Sequence, residues 1–423
     1  MKYIKGLALV PVIAFGMASC QDQPDAFRQA DGVPVLHYVR YADRDVIIDQ
    51  AYMSEVVCLV GDNLRSINQL WFNDQKAILN TSYMTDHTLL VSVPKEMAVV
   101  ETNKMYMITT KNDTVKYDFK VLPPAPVIKS MSNEWAAPNT VASIYGDYFI
   151  STEDQPIVVE FPNGEVTDFK KVSKTELQFT IPETAVEGKI KVTSLSGTAV
   201  STFHYRDTRG LITNFDGATD VVPQGWNIKV QYKTEGGVDG QYVELGPSTL
   251  DEEAGWNEEL KLPFWCGNWN GNPMGITSGP GIPICNFIDM KNFSKMAFKM
   301  ELCIPKENPW SSGAMQIVFT NAERCANDSW QNNTYIQPEN GLCRGLYIPW
   351  KDSGSFDTNG EWITVTVPIS EFVYNADGTM GTVPLQSPED FASLIIWPWS
   401  GGVTGTECTP VFRYDNIRVV PNK

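Results

Sequence analysis

Two five-residue stretches, Val60-Gly61-Asp62-Asn63-Leu64 and Tyr145-Gly146-Asp147-Tyr148-Phe149, decide the fold of this chain. Each places a Gly-Asp pair, typical of a turn, directly after an apolar run typical of a strand. The same landmarks surround both stretches: a Pro-Val pair comes before, and an alternating strand that ends on proline comes after. These landmarks are Pro34-Val35 with residues 88–94 in the first copy, and Pro126-Val127 with residues 176–182 in the second. A repeat of about 90 residues predicts two consecutive modules with one β fold.

The rest of the chain shows similar patterning. Short apolar or alternating runs, such as residues 56–60 and 363–367, are bounded by Gly, Pro, Asn and Asp, and no long helical periodicity appears. This pattern predicts an all-β protein built from sandwiches.

The repeated modules resemble tandem TIG domains, which are immunoglobulin-like, in their G-x-x-F/L element and in the strand that ends in VP or IP. The resemblance implies two TIG/Ig-like sandwiches at residues 33–123 and 124–206. The proline-rich segment 122–126 between them should be a stiff, extended joint. Residues 207–423 are expected to form a larger C-terminal β-sandwich or jelly-roll domain.

The first twenty residues have the pattern of a secretory signal. Two lysines precede an apolar run over residues 7–17, which is too short to span a bilayer. The stretch Met17-Ala18-Ser19-Cys20 resembles a bacterial lipoprotein signal, which implies that residues 1–19 are removed and that Cys20 is acylated. We therefore expect an acidic tether over residues 20–32, a lipid anchor in the outer membrane and a location on the cell surface.

The composition changes sharply after residue 206. Residues 207–423 carry 14 Lys and Arg against 26 Asp and Glu, in a chain whose net charge is −17. Such an acidic surface repels phosphate backbones, so nucleic acid is not expected as a partner. The same segment carries ten of the twelve tryptophans, more than a sandwich of this size buries easily, because a buried indole N–H needs a partner. Several tryptophans are therefore expected at the surface, where they can bind a ligand.

Local context sorts these tryptophans. Trp310, Trp330 and Trp350 lie in polar, turn-rich loops, where exposure is expected; Trp265 and Trp269 lie in a similar loop with more apolar neighbours. The alternative is that these side chains fold back as lids on the core. The indoles beside predicted strands are assigned to the core: Trp362, Trp397 and Trp399.

Indole faces edged by amides and hydroxyls suit sugars, because a pyranose ring stacks its C–H face on an indole while its hydroxyls bind fixed polar groups. Three segments carry a more specific resemblance: NPWSSGAMQIVF (308–319), YIPWKDSGSFDTNGEWITVTVPISEF (347–372) and FRYDNIRVVP (412–421). They resemble the B-type surface glycan-binding proteins of Bacteroidota polysaccharide-utilisation systems.

That resemblance implies capture of a plant β-glucan, either xyloglucan or mixed-linkage glucan, by the C-terminal domain, with the Ig-like modules as a stalk. It also implies an outer-membrane transporter complex of the same system as a partner. The platform residues it implies are Trp310 and Trp350, then Trp330, and the loop context adds Trp265 and Trp269 as glycan-binding candidates.

An enzyme is the competing interpretation. The three histidines, His37, His87 and His204, all precede the tryptophan-rich domain, so a Ser-His or Cys-His centre is not available there. A glycoside hydrolase with two carboxylates stays open as an alternative, as does a purely adhesive or structural surface protein. Because the E-x-D-x-x-E arrangement of jelly-roll β-glucanases is absent, we expect no enzyme activity and no catalytic residues.

Six cysteines lie in the C-terminal domain, and export permits disulfides. Pairs Cys266–Cys285 and Cys325–Cys343 would each close a tryptophan-bearing loop. The alternative is that these residues are buried, reduced thiols that pack as small hydrophobic groups.

No cysteine or histidine cluster indicates zinc, so the sequence predicts no metal and no cofactor. A structural calcium ion bound by Asp216, Asp415 and backbone carbonyls stays open as an alternative.

Overall fold

A computed structural model describes residues 27–225, 227–266, 268–269, 272–273, 283–321 and 342–422. These residues form β-strands and short 3-10 helices, with no α-helix among them, which confirms the all-β prediction. No helix in the described ranges is long and apolar enough to cross a membrane. The chain divides into two compact units, one that ends at Pro124 and one that spans Ala125–Lys423.

The first unit is a two-sheet sandwich. Its strands are β1 (Val35–Tyr41), β2 (Ile47–Ile48), β3 (Gln50–Tyr52), β4 (Val56–Asp62), β5 (Ile67–Phe72), β6 (Gln75–Lys76), β7 (Thr88–Ser92), β8 (Lys104–Thr109), β9 (Thr114–Asp118) and β10 (Lys120–Leu122). One sheet has the order β2-β1-β4-β7 and the other β6-β5-β8-β9, while β10 pairs with β3 in parallel. Leu59, Leu70 and Met107 lie in the core between the sheets.

The second unit begins with a sandwich of the same kind. Its strands are β11 (Val127–Met131), β12 (Val141–Asp147), β13 (Val158–Phe161), β14 (Gly164–Glu165), β15 (Phe169–Val172), β16 (Glu176–Thr180), β17 (Gly188–Ser194) and β18 (Gly197–Tyr205). The sheets have the orders β11-β12-β16-β15 and β14-β13-β17-β18. We call these residues the second Ig-like module.

The repeated Gly-Asp landmark has a physical cause. A Cβ atom on Gly61 would lie 2.0 Å from the carbonyl oxygen of Val35, and one on Gly146 would lie 1.9 Å from that of Val127. At both places the first strand crosses so close to its partner that only glycine fits. In each repeat, the valine of the Pro-Val pair and the glycine of the Gly-Asp pair therefore contact each other across neighbouring strands.

The rest of the second unit is a larger sandwich. Its strands are β19 (Leu211–Thr213), β20 (Gln231–Lys233), β21 (Tyr242–Leu245), β22 (Leu262–Phe264), β23 (Asn268–Trp269), β24 (Asn272–Pro273), β25 (Met296–Cys303), β26 (Met315–Thr320), β27 (Gly345–Tyr347), β28 (Ile363–Pro368), β29 (Ser393–Pro398) and β30 (Phe412–Pro421). The larger sheet has the order β20-β21-β30-β25-β28, with β19 also paired to β30. The smaller sheet has the order β22-β29-β26-β27, and β23 pairs with β24.

Short 3-10 helices connect the strands; those that the structure describes are Leu64–Ser66, Thr81–Tyr83, Glu258–Leu260, Ile284–Asn286, Phe293–Lys295, Ile369–Glu371 and Pro388–Phe391. The main core of the C-terminal sandwich fills the space between its two sheets. Phe298, Phe319 and Leu394 are examples of its fully buried side chains.

A buried ionic cluster joins the second Ig-like module to the C-terminal sandwich. Glu134, from the loop after β11, binds the ammonium of Lys299 at 2.5 Å and the guanidinium of Arg418 at 3.1 Å. Arg418 also binds Glu301 at 2.6 Å, and all four side chains are at most 3% exposed. Trp135 packs beside this cluster against Leu211 and Val238. Each of the two modules keeps its own hydrophobic core, and this buried cluster joins them within one compact unit.

Candidate functional site

The two best-placed sequence candidates, Trp310 and Trp350, are buried. Trp310 has no exposed surface and Trp350 is 5% exposed, and both belong to the main core. The indole N–H of Trp310 donates to the carbonyl of Ser312 at 2.5 Å, and that of Trp350 donates to the carbonyl of Gly313 at 2.9 Å. The expectation that they are exposed stacking platforms is wrong, because the turn beside them provides the acceptors that a buried indole needs.

The other three glycan-binding candidates are Trp265, Trp269 and Trp330. Trp265 is 4% exposed, so it does not offer the open indole face that the sequence predicts. Trp269 lies in β23, but its side chain is outside the described part of the chain, as is all of Trp330. For Trp269 and Trp330 the glycan-binding role stays a prediction.

The outer face of the smaller sheet is apolar instead of polar. Along β26, Met315, Ile317 and Phe319 point into the main core, so Val318 points outward. The register pairs Val318 with Ile395 and pairs Gln316 with Trp397 on the same outer side. These outer residues of the two strands are at most 1% exposed, so the chain itself covers this second apolar face, and Trp256 and Trp399 pack against it.

Three tryptophans form a cluster on this outer face, which we call the outer aromatic cluster: Trp256, Trp397 and Trp399. Trp397 and Trp399 stack with ring centroids 5.6 Å apart and an interplanar angle of 15°. Trp256 meets Trp397 edge-on at 6.0 Å and Trp399 edge-on at 6.3 Å. Trp397 is buried, whereas Trp256 and Trp399 keep part of their surface exposed. The cluster thus offers aromatic surface that its own packing holds in a fixed orientation.

Polar groups fix the cluster from two sides. The side-chain amide of Gln316 donates to the carbonyl of Trp399 at 2.6 Å, and Arg344 donates to the oxygen of that amide at 2.8 Å. On the other side, the indole N–H of Trp256 donates to Glu258 at 2.5 Å. The ammonium of Lys261 lies 5.8 Å from the centre of the Trp256 ring. The Gln316 amide and the Lys261 ammonium are buried and paired within the protein, so the groups here that are open to a ligand are the two partly exposed indoles and the Glu258 carboxylate.

The topology relates the remaining loop candidates to the same sheet. Leu394 of β29 pairs with Phe264 of β22 on one side and with Phe319 of β26 on the other. The C-terminal ends of β22 and β26 therefore lie side by side, next to the first residues of β29. The described residues continue to Cys266 beyond β22 and to Asn321 beyond β26. Trp269 and Trp330 follow these two points in the sequence.

The sequence analysis assigned Trp397 and Trp399 to the core. Trp397 is buried, which confirms that assignment, whereas Trp399 is partly exposed, and the cluster that they form on the outer face was not predicted. The sequence does contain a signal for the second apolar face, and it lies in β29. Residues 393–398 of β29 are buried on both faces, and their unbroken apolar run Leu394-Ile395-Ile396-Trp397 is typical of a strand covered on both sides. Since only one face of an outer sheet can meet the main core, such a run predicts a second covering.

Cys285 carries a free thiol, so a Cys266–Cys285 disulfide is not formed. Cys343 also carries a free thiol, while its proposed partner Cys325 lies outside the described residues. Burial raises the pKa of the Cys343 and Cys303 thiols, which keeps them protonated and unreactive.

Comparisons with known proteins agree on one family. Residues 205–421 match the family described as "Surface glycan-binding protein B xyloglucan binding domain". The chain is similar to an IPT/TIG domain-containing protein of Bacteroides ovatus, with 25% identity over 243 residues that cover 52% of this chain and 47% of the relative. It therefore spans about half the length of the curated relative it matches. It is also similar to the crystal structure of surface glycan-binding protein PbSGBP-B from Prevotella bryantii. That match has 36% identity and a TM-score of 0.74, and it covers 93% of this chain and 100% of the other.

Proposed function

The chain belongs to the surface glycan-binding protein B family, and from this premise we propose that it binds a plant β-glucan at the bacterial cell surface without cleaving it. The substrate class is xyloglucan or mixed-linkage glucan. The family model that matches residues 205–421 is described as a xyloglucan-binding domain, which favours xyloglucan as the first glycan to test.

The outer aromatic cluster is the observation that carries this proposal. Its partly exposed indoles, Trp256 and Trp399, lie on an outer sheet face and are not needed to fill the main core.

The carboxylates of the C-terminal sandwich argue against hydrolysis. Glu301 and Asp415 face each other across β25 and β30, a spacing that resembles a retaining glycosidase pair. Burial raises the pKa of Glu301 to about 7 and the pKa of Asp415 to about 9. Both side chains are fully buried, however, and lie on the outer side of the larger sheet, with the main core between them and the outer aromatic cluster. A glycan on the cluster cannot reach them.

We further propose that acylated Cys20 anchors the protein in the outer membrane and that the Ig-like modules are a stalk. An outer-membrane transporter complex of the same utilisation system is the proposed partner, which would import the fragments of the captured glycan. The anchor rests on the lipoprotein-like signal, since residues 1–26 are outside the described chain, whereas the stalk and the transporter partner rest on membership of the family.

The function is tested with the mature protein in affinity electrophoresis and calorimetry against xyloglucan, barley mixed-linkage glucan and an α-glucan control. The same incubations are assayed for new reducing ends. Binding to a β-glucan with no rise in reducing ends is expected. A rise in reducing ends that is retained after further purification would establish a hydrolase instead, and no binding to either β-glucan would refute the proposed function.

A further inference from the structure

A cavity of about 530 Å³, which we call the junction cavity, lies where the second Ig-like module meets the C-terminal sandwich. One wall belongs to the sheet that contains β12 and β16, and it includes Tyr145 and Gln178. The other wall is made by the loop after β20 and by the residues around the start of β28, with Val238 and Trp362. Ligand sites are common where two modules meet, and this volume is typical of them.

The two walls of the junction cavity are fixed by hydrogen bonds between the modules. The backbone N–H of Thr364 donates to the carbonyl of Ser132 at 3.0 Å, and the backbone N–H of Glu134 donates to the hydroxyl of Thr364 at 2.7 Å. Glu134 also belongs to the buried ionic cluster, which joins the same two modules. The cavity is therefore pre-formed by contacts within the protein, which lowers the entropic cost of binding a ligand.

Several polar groups that line the junction cavity are free to bind a ligand. Asn133 is only 8% exposed, and its Oδ1 accepts from the backbone N–H of Trp135 at 2.8 Å, whereas its Nδ2 has no acceptor among the described residues. The side-chain amide of Gln178 and the hydroxyl of Tyr145 likewise have no partner in the described part of the chain. A nearly buried donor without a protein acceptor indicates that water or a ligand supplies one.

Two aromatic side chains line the same cavity. Tyr145 is 41% exposed on the outer face of β12. Ile363 packs against the main core, so the alternation of β28 places Trp362 on the outer side of the larger sheet, where it is partly exposed. The indole N–H of Trp362 donates to the carbonyl of Gly236 at 2.7 Å, and Tyr242 meets its ring edge-on at 5.2 Å. These contacts hold the indole in one orientation.

We propose that the junction cavity is a second binding site for a segment of neutral β-glucan, an inference that rests on the proposed function. The rings of Tyr145 and Trp362 offer surface to the C–H faces of pyranose rings. The free amides of Asn133 and Gln178 and the Tyr145 hydroxyl provide the donors and acceptors that sugar hydroxyls need. The charged side chain among the described lining residues is Glu361, so a glycan that carries carboxylates or phosphates is disfavoured.

The junction cavity and the outer aromatic cluster lie on opposite sides of the C-terminal sandwich. Trp362 lies on the outer side of the larger sheet and the cluster on the outer side of the smaller sheet, with the main core between them. One short oligosaccharide therefore cannot occupy both, whereas a long polysaccharide can reach both. Two linked sites raise the affinity for the polymer above that for its oligosaccharides without any new contact.

The test is calorimetry of the full mature chain with xyloglucan oligosaccharides and mixed-linkage glucan oligosaccharides. The wild-type protein should bind two oligosaccharides per chain, and Trp256→Ala/Trp399→Ala, which removes the outer aromatic cluster, should bind one. Adding Tyr145→Ala and Gln178→Ala to that variant should weaken the remaining site about five-fold or more. Both side chains lie outside the hydrophobic cores, so the melting temperature should not change. The matched control is Tyr52→Ala, at a tyrosine that is 48% exposed in the first unit.

Hydrogen exchange of the wild-type protein gives a readout that does not depend on the variants. An oligosaccharide in the junction cavity should slow amide exchange in residues 132–145 and 359–364. One oligosaccharide per chain, with an affinity that Trp256→Ala/Trp399→Ala lowers and Tyr145→Ala/Gln178→Ala leaves unchanged, would overturn the second site and leave the proposed function intact. No binding of either glycan, as oligosaccharide or as polymer, would overturn both. Binding that is lost in Tyr145→Ala/Gln178→Ala and kept in Trp256→Ala/Trp399→Ala would support the junction cavity and refute the outer aromatic cluster.

Discussion

The buried ionic cluster predicts that the second Ig-like module and the C-terminal sandwich melt together. The perturbation is Glu134→Ala. It leaves the cations of Lys299 and Arg418 with Glu301 as their one remaining anion in the cluster, all at most 3% exposed. Removing one partner of a buried ion pair costs about 3–5 kcal/mol, because the other charge stays desolvated.

This free energy converts into a large shift in melting temperature. For a unit somewhat larger than 150–250 residues, 1 kcal/mol corresponds to roughly 2–4 °C, so the expected decrease is about 6–20 °C. Burial already lowers the pKa of Lys299, so without Glu134 this lysine can lose its proton and relieve part of the cost. The lower half of the range is therefore expected. Calorimetry of residues 125–423 measures this decrease in melting temperature without a second transition from the first unit.

An exposed ion pair in the same module is the matched control. Glu160 binds Lys191 at 2.5 Å, but the two side chains are 38% and 45% exposed. Glu160→Ala should change stability by less than about 1 kcal/mol, because solvent screens exposed pairs. If the melting temperatures of Glu134→Ala and Glu160→Ala agree within error, the cluster contributes nothing to stability and the reasoning is refuted.

Three further outcomes are expected. Trp310→Ala should lower the free energy of unfolding by about 3–5 kcal/mol in denaturant titrations, since it empties a core position, and unchanged stability would contradict its burial. Gly146→Ala should destabilise the protein more than Gly255→Ala, because Gly255 has no positive φ and the nearest neighbour of its Cβ position lies at 3.5 Å; calorimetry of both variants measures the difference. Cys20→Ala should move the protein out of the membrane fraction with an unchanged circular dichroism spectrum, and retention in that fraction would exclude the lipid anchor.

The repeated modules could be predicted from sequence because their landmarks follow from one local contact. Gly61 and Gly146 each face the carbonyl of a Pro-Val pair, and that constraint acts within a single module. A pattern fixed by such close backbone approach is visible in the residue order. The all-β class could be predicted for the same reason, since alternation and turn residues are local properties.

The expected exposure of Trp310 and Trp350 was wrong because it depends on acceptors that the sequence does not locate. The context of Trp310 is polar, yet its backbone pairs with Phe356 through two hydrogen bonds of 2.8 Å, and its indole N–H finds the carbonyl of Ser312. Trp397 lies in an apolar run, yet the pairing of β26 with β29 places it on the outer face. In both cases sheet register, which is a long-range property, decides which side of the sandwich an indole occupies.

The buried ionic cluster also could not be predicted from the sequence. Glu134 and Arg418 are separated by 284 positions, and neither lies in a recognisable motif. Their pairing follows from how the second Ig-like module packs on the larger sheet. The same packing joins two modules that each have their own hydrophobic core, so the compact unit extends across residue 206.

Glycan affinity of outer-cluster variants tests the central claim most directly. Trp71 is a matched control: it is partly exposed, its indole donates to Gln69 at 3.1 Å, and Lys76 lies 5.9 Å from its ring. If Trp256 and Trp399 stack on sugars, replacing either with alanine should cost about 1–3 kcal/mol of binding free energy. Calorimetry with xyloglucan should then show roughly a five-fold to more than hundred-fold weaker affinity, and Trp71→Ala should bind like wild type. Wild-type affinity in both Trp256→Ala and Trp399→Ala would contradict the account and would place the glycan elsewhere on the protein.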